Sequence, residues 1–155
     1  MKTLHLAMAA VAIAFVQPAQ AGVNDPEVLI YRFNGVRALL GSPTPGTVFH
    51  CTNFSGATEM IRFVTRTQSG AISGNQALPI SHLQTVTASF SNISTYSIDL
   101  ILTIFNDLAI QGTTAIAATS ASMFCTAMVM ETNQLVPVGI ALHAIRFNPA
   151  PGSQE

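Results

Sequence analysis

Apolar and polar residues alternate along most of the chain, with the two-residue period of strands that bury one face. These runs are rich in β-branched and aromatic residues, and Gly, Pro and Asn separate them. Their spacing is typical of a sandwich or a barrel, and we predict an all-β sandwich in which Gly35 forms a bulge or a bend. The predicted strands cover residues 27–39, 47–54, 58–67, 77–90 with a break near Ser81, 113–120, 122–132 and 137–147.

The segment 95–110 departs from this alternation. Four of its apolar residues follow the i, i+3, i+4, i+7 spacing of an amphipathic helix, namely Ile98, Ile101, Leu102 and Phe105. Its many β-branched residues also suit a buried strand, so both interpretations stay open. We favour one short helix, over about residues 95–107, that covers one end of the sandwich.

The first residues follow the pattern of an export leader. Lys2 precedes an apolar stretch over 4–16, and the small residues of Ala19-Gln20-Ala21 come after it. This order is typical of a cleaved signal peptide, and the apolar core is shorter than the roughly 20 residues that a membrane-spanning helix needs. We therefore predict a signal peptide at 1–21 and one domain at 22–155 that ends in a loose tail at 149–155. No membrane span is expected after cleavage.

Charge is sparse in this sequence. Residues 22–155 contain five arginines, seven acidic residues and no lysine, which gives a net charge of −2. Charged residues make up 8% of the chain, whereas about a quarter is usual. This balance predicts no basic surface for nucleic acid or anionic lipid. A surface with so little repulsion favours association with a second copy or with a neutral partner.

The chain has two cysteines, Cys51 and Cys125. Thiols of an exported protein meet an oxidising compartment, so a disulfide is expected, and the alternation turns both side chains inward. Their positions near the second and the penultimate strands match immunoglobulin-like sandwiches, in which a disulfide joins the two sheets. Met123 stands where a tyrosine corner would place Tyr, and the chain has no Trp. We predict an immunoglobulin-like sandwich with one inter-sheet disulfide.

His50 is adjacent to Cys51 and therefore points to the opposite face of its strand. It cannot readily serve the sulfur as a base, and we predict no catalytic residue. Imidazole and thioether groups suit copper, and the candidate ligands are His50, His143, Met128 and Met130. The two methionines also have the spacing of an ordinary half-buried strand, so neither a metal site nor a cofactor is predicted.

Three short segments carry a resemblance. They are "FHCTN" (49–53), "GIALH" (139–143) and "RFNPAPG" (146–152). They resemble segments of small exported bacterial proteins that have no assigned role. The resemblance implies a bacterial exported β-sandwich, and it implies no activity and no catalytic residue.

From these features we predict a secreted or periplasmic module that binds or assembles and does not catalyse a reaction. Its partner is expected to be a second copy, or a protein or glycan of the cell envelope, at residues that the sequence does not identify. The run 27–33 is a candidate edge strand for this association. Glu27 and Arg32 are its main charged residues, and charged side chains are what discourages an edge strand from pairing with another chain. The alternative is that the closing run 139–147 already pairs with it. The alternative function is a copper- or metal-binding periplasmic protein or a small secreted enzyme.

Overall fold

The computed structural model describes residues 26–39, 45–104, 109–131 and 138–147. These residues form ten strands and no helix, so the all-β prediction is confirmed. The predicted leader at 1–21 and the tail at 149–155 lie outside the described residues. The strands are β1 (Val28–Leu39), β2 (Pro45–Asn53), β3 (Glu59–Thr67), β4 (Ile72–Ile80), β5 (Thr85–Ser89), β6 (Leu100–Ile101), β7 (Ala109–Ala118), β8 (Met123–Glu131), β9 (Gly139–Ala141) and β10 (Ala144–Arg146).

The ten strands make two five-stranded sheets. Sheet I has the order β10-β1-β7-β3-β4, and sheet II has the order β6-β5-β2-β8-β9. Neighbouring strands are antiparallel, except that β6 pairs with β5 in parallel. No helix in the described part of the chain is long and apolar enough to span a membrane.

A cluster of phenylalanines fills the space between the two sheets. Phe49 of sheet II lies 5.6 Å from Phe33 and 5.7 Å from Phe63, both of sheet I, as measured between ring centroids. Phe90, directly after β5, lies 6.2 Å from Phe49 on another side. All four side chains are buried. Burial of one such side chain contributes about 1.5–3 kcal/mol, so this cluster is a main source of cohesion between the sheets.

Alternation and one glycine explain how β1 joins this core. Phe33 and Val36 are both buried. In a regular strand, however, residues that are three positions apart face opposite sides. Gly35 resolves this conflict, because it adopts a φ of 74° and the pairing with β7 shifts between Asn34 and Val36. Of the bulge or bend predicted at Gly35, the structure has the bulge.

The Cys51–Cys125 disulfide is confirmed, but its predicted place between the two sheets is wrong. The two cysteines lie directly opposite each other on β2 and β8, which are neighbours in sheet II. Their Cα atoms are 4.2 Å apart, close to the roughly 4.5 Å of a non-hydrogen-bonded antiparallel pair. Both side chains do face the core as predicted. Side chains of both sheets face the core, so the inward direction of the two cysteines does not show whether the disulfide joins two sheets or two neighbouring strands of one sheet. The sequence therefore does not determine which strands the disulfide connects.

The short helix favoured over 95–107 is wrong for residues 95–104, and residues 105–107 lie outside the described part. The segment contains turns and the two-residue strand β6. Ile98 packs against the outer face of sheet II, whereas Leu102 packs into the core between the sheets. The chain therefore passes around the edge of sheet II. Its helix-like spacing arises because the apolar residues contact two different surfaces.

The predicted closing run 137–147 forms two strands and not one over its described residues, 138–147. β9 pairs with β8 in sheet II, Leu142 and His143 follow, and β10 pairs with Tyr31–Phe33 of β1 in sheet I. β1 is thus paired on both sides along 31–33. Of the two interpretations of the run 27–33, the structure has the one in which the closing segment already pairs with it.

Two further contacts close the margins of the sandwich. Thr47 is buried in β2, and its hydroxyl accepts a bond from the Arg37 amide (2.8 Å) and donates one to the Arg37 carbonyl (3.0 Å). At the opposite margin the Gln76 side chain of β4 accepts a bond from the Thr103 amide (2.5 Å). A Cβ at Gly74 would come within 2.6 Å of the Thr103 carbonyl oxygen, so only glycine permits this approach. The Thr47 hydroxyl thus joins β2 to the backbone of β1, and the Gln76 side chain joins β4 to the segment after β6.

We predict that replacing both cysteines, as Cys51→Ala/Cys125→Ala, lowers the free energy of unfolding by about 2–5 kcal/mol. The bond closes a segment with a sequence separation of 74 residues, and its removal also takes two sulfurs out of the core. Urea unfolding measures the change. A reduced wild type that unfolds at the same denaturant concentration as the oxidised protein would contradict the prediction.

Candidate functional site

Two exposed phenylalanines meet at one end of the sandwich. Phe124 is the second residue of β8, and Phe54 directly follows β2. The register places Thr52 opposite Phe124, and the Phe54 amide donates to the Ser122 carbonyl at 2.9 Å. The ring centroids are 5.6 Å apart at an interplanar angle of 89°, the edge-to-face geometry that aromatic pairs prefer. Phe54 is 49% exposed and Phe124 is 58% exposed.

Arg146 of β10 covers part of this pair. Its Cζ atom lies 4.9 Å from the Phe124 ring centroid and 5.5 Å from that of Tyr31, within the range of a cation–π contact. An Nη atom of Arg146 also donates to the Ala121 carbonyl at 3.2 Å. We call Phe54, Phe124 and Arg146 the aromatic patch. Its guanidinium is held in place while two apolar rings face solvent.

The segment that carries Phe54 is fixed by Asn53. This asparagine is fully buried, and its side-chain amide donates to the carbonyls of Ala57 (2.7 Å) and Ile80 (2.9 Å). Its side-chain oxygen accepts a bond from the Ser55 amide at 2.8 Å. Because these bonds constrain the backbone on both sides of Phe54, its ring is presented from a rigid support.

Leu83 lies beside this segment with an unusual backbone. Its amide donates to the Asn53 carbonyl at 2.7 Å, and it sits in a turn closed by a bond from the Gln84 amide to the Ser81 carbonyl. Its φ is 62°, in the left-handed region that costs a non-glycine residue about 1–2 kcal/mol. The side chain is 63% exposed. Residues held in such sparsely populated backbone conformations cluster at functional sites.

His50 points away from Cys51, as predicted, but it is not a simple surface residue. Its Nδ1 lies 3.1 Å from the Thr87 hydroxyl, and its ring centroid lies 4.6 Å from that of Tyr96. Its Nε2 atom is buried and has no hydrogen-bond partner among the described residues. Burial lowers the pKa of His50 below the usual 6.5, because a charged imidazolium would lose hydration there.

The four candidate metal ligands have different surroundings. Met130 is buried in an apolar cluster with Val48 and Ile93 on the outer face of sheet II, and Met128 packs against that cluster. His50 lies on β2 two positions from Val48 and shares its face, whereas His143 is exposed between β9 and β10. No group of three or more His, Cys, Asp or Glu side chains able to hold a metal occurs in the described ranges. The two methionines act in packing.

The sequence carries one signal for the aromatic patch, the outward position of Phe124. Cys125 is predicted to face inward, so by alternation its neighbour Phe124 faces outward. A phenylalanine at an outward position is a departure from ordinary alternation. The contact with Phe54 could not be foreseen, because it depends on the register of β2 against β8.

We predict that Leu83→Gly raises the free energy of unfolding by about 1 kcal/mol, since glycine adopts a positive φ without steric cost. Thermal or urea unfolding measures the gain. Gln84→Gly in the same turn is the control, because no left-handed strain is relieved there, and it should be neutral or destabilising. A Leu83→Gly protein less stable than the wild type would show that the leucine side chain stabilises the fold.

We also predict that His50 makes the protein less stable in mild acid. Its folded-state pKa lies below that of the unfolded chain, so its contribution is complete above the unfolded value of about 6.5 and is lost as the pH falls towards the folded value. Between about pH 7.5 and pH 5, the free energy of unfolding should decrease more in the wild type than in His50→Gln. The exposed His143→Gln is the control for replacing a histidine elsewhere on the surface. Equal pH profiles of the wild type and His50→Gln would refute the assignment.

Comparisons of the chain with protein-family models, with curated proteins and with solved structures find no match. The resemblance of its three short segments to exported bacterial proteins therefore stays a prediction. The features from which a function can be argued are the chain's own surfaces, and the aromatic patch is the one whose chemistry is best defined.

Proposed function

We propose that the protein is an exported, non-catalytic binding module that contacts another protein through the aromatic patch. The observation that carries this proposal is the exposed, edge-to-face pair of Phe54 and Phe124 with Arg146 over one ring. Aromatic and arginine side chains are enriched in the energetic centres of protein interfaces. Isolated exposed apolar residues need no explanation, but a fixed pair with a stacked cation is a preformed contact surface.

The energetics of the patch favour binding. Each phenylalanine leaves about half of its surface in water, and covering that surface gains on the order of 1 kcal/mol per ring. Because Asn53 fixes the backbone beside Phe54 and Arg146 donates to the Ala121 carbonyl, little freedom of this backbone and of the guanidinium is lost on binding. The neighbouring Leu83 adds a further exposed apolar group. These properties support a protein partner that supplies an apolar side chain.

Two features support export. The leader pattern of residues 1–21 predicts cleavage and release, and the buried disulfide between β2 and β8 is the form of cysteine expected in an oxidising compartment. The compartment we propose is the periplasm or the exterior of a bacterial cell. The bacterial origin rests on the resemblance of the short segments.

Self-association through β9 is a second candidate, carried by a different observation. β9 is the outer strand of sheet II, and Val138 and Ile140 at this edge are 72% and 73% exposed. The Leu142 amide bonds to the Ala127 carbonyl, and the Glu131 amide bonds to the Val138 carbonyl. By alternation, the backbone groups of Gly139 and Ala141 point away from β8. Within the described ranges no strand pairs with that edge, so a second copy could add one there.

We predict that a photoreactive phenylalanine analogue at position 54 or 124 forms cross-links to another protein in the cells that produce the chain. An analogue at the exposed Ile72 of β4, outside the patch, is the matched control and should form few. Arg146→Gln should reduce the yield at position 124, because the guanidinium no longer orients the ring. Denaturing electrophoresis followed by mass spectrometry identifies the adducts.

The same experiment, with a further analogue at Ile140 of β9, separates binding by the aromatic patch from self-association through β9. An adduct of twice the monomer mass formed from position 140, and not from 54 or 124, would support assembly through β9 and contradict binding by the aromatic patch. Equal cross-linking yields from positions 54, 72 and 124, or no cross-links from 54 and 124, would also contradict binding by the aromatic patch.

A further inference from the structure

The segment 91–98 lies on the outer face of sheet II, the face that points away from the core. Backbone hydrogen bonds anchor the chain on both sides of this segment. The Phe90 amide donates to the Thr47 carbonyl at 3.4 Å, and the Asp99 amide donates to the Thr87 carbonyl at 2.9 Å. Between these anchors, three apolar side chains of the segment pack on the sheet: Ile93, Tyr96 and Ile98. We call residues 91–98 the covering segment.

Two buried apolar side chains of sheet II lie beneath the covering segment. Val48 of β2 and Met130 of β8 form a cluster with Ile93, and all three are buried. Among the described residues, this cluster shares no buried member with the core between the two sheets. Water can therefore reach Val48 and Met130 through a local movement of the covering segment, without separation of the sheets.

His50 lies between sheet II and the covering segment. Its ring centroid is 4.6 Å from that of Tyr96, and its Nδ1 is 3.1 Å from the Thr87 hydroxyl. Its Nε2 is buried, with no hydrogen-bond partner in the part of the chain that the structure describes. A protonated imidazole carries an N–H group on both nitrogens. Protonation thus places a positive charge and an unsatisfied N–H donor at a buried position, which is unfavourable while the segment stays packed.

The elements around His50 present no carboxylate that offsets this charge, within the described ranges. The residues opposite His50 are Thr126 on β8 and Thr87 on β5, both uncharged. The covering segment has Tyr96 as its titratable residue and no charged one. The Asp99 carboxylate accepts a bond from the Thr87 amide at 2.7 Å. Since the amide and carbonyl of Thr87 both bond to Asp99, they point away from β2, and Asp99 lies on the far side of β5 from His50.

We infer that His50 is a pH switch whose protonation in mild acid releases the covering segment from sheet II, while the two sheets stay packed. Burial lowers the pKa of His50 in the packed state, whereas water surrounds the ring in the released state. The released state therefore binds the proton more tightly. Release is favoured as the pH falls below about 6.5, the ordinary pKa of histidine, and is reversed above it. Between pH 7.5 and pH 5 this linkage can increase the released population by at most about thirtyfold.

Oxidation of the disulfide-bonded protein by hydrogen peroxide tests this inference, because peroxide converts a methionine to its sulfoxide where it reaches the sulfur. Met130 lies beneath the covering segment, Met123 is buried in the core between the sheets, and Met60 is exposed. Peptide mass spectrometry measures each rate at pH 7.5 and pH 5, relative to Met60 at the same pH. We expect the rate of Met130 to rise by about fivefold or more at pH 5 and to exceed that of Met123.

His50→Gln removes the titrating group and keeps a side chain that can hydrogen-bond to Thr87, so the Met130 rate in this variant should not respond to pH. His82→Gln is the matched control. His82 accepts a bond from the Gly56 amide beyond the end of β2, whereas Met130 lies opposite Gly46 near its start. The acid response of Met130 should therefore persist in His82→Gln.

Three outcomes would overturn the inference: no rise of the Met130 rate in acid, a rise that persists in His50→Gln, or equal rates of Met130 and Met123 at pH 5, which would indicate unfolding of the whole domain. If His50→Gln does not fold, fluorotyrosine in the wild type replaces it, since the chain has two tyrosines. The ¹⁹F signal of Tyr96 should move in acid and that of Tyr31, buried in the core, should not. Movement of both signals together, or of neither, would also overturn the inference.

Discussion

Packing of Phe49 against Phe33 and Phe63 is the interaction on which the rest of the structure depends, because it joins the two sheets. The disulfide cannot do this, since both of its cysteines belong to sheet II. Cohesion between the sheets therefore comes from apolar side chains, from the Thr47 hydroxyl on the Arg37 backbone and from the crossing of the chain between β9 and β10. The disulfide instead fixes the register of β2 against β8, and that register brings Phe54 and Phe124 together.

Residue periodicity predicted what depends on one strand alone. It gave the class of fold, most of the strands, the inward direction of Cys51 and Cys125, and the bulge or bend at Gly35. It did not predict which strands are neighbours. The disulfide was assigned to two sheets for this reason, and the run 137–147 was not divided between them. Pairing depends on contacts between residues far apart in sequence, which a two-residue period does not encode.

The aromatic patch and the placement of the arginines were not predicted, for different physical reasons. The aromatic patch depends on cross-strand register, as does the cation–π contact of Arg146 with Phe124. The placement of the arginines was not predicted because net charge averages over the chain, whereas a sheet separates charges by face. Arg62 and Arg66 are four residues apart on one strand, so their common face could have been predicted. That Arg32 lies across β7 from them could not.

The disulfide within sheet II also determines how this molecule would respond to mechanical load. Tension applied at the two ends of the described chain reaches Cys51 from one side and Cys125 from the other, and the covalent bond carries it between them. β3 to β7 lie inside the closed segment and cannot be drawn out, whatever the strength of their packing. Only β1, part of β2, and the strands after Cys125 can extend, and β9 and β10, each held by three residue pairs, have the shortest pairings among them. Under tension the protein would lengthen by a limited amount and keep most of its described residues within a covalently closed loop.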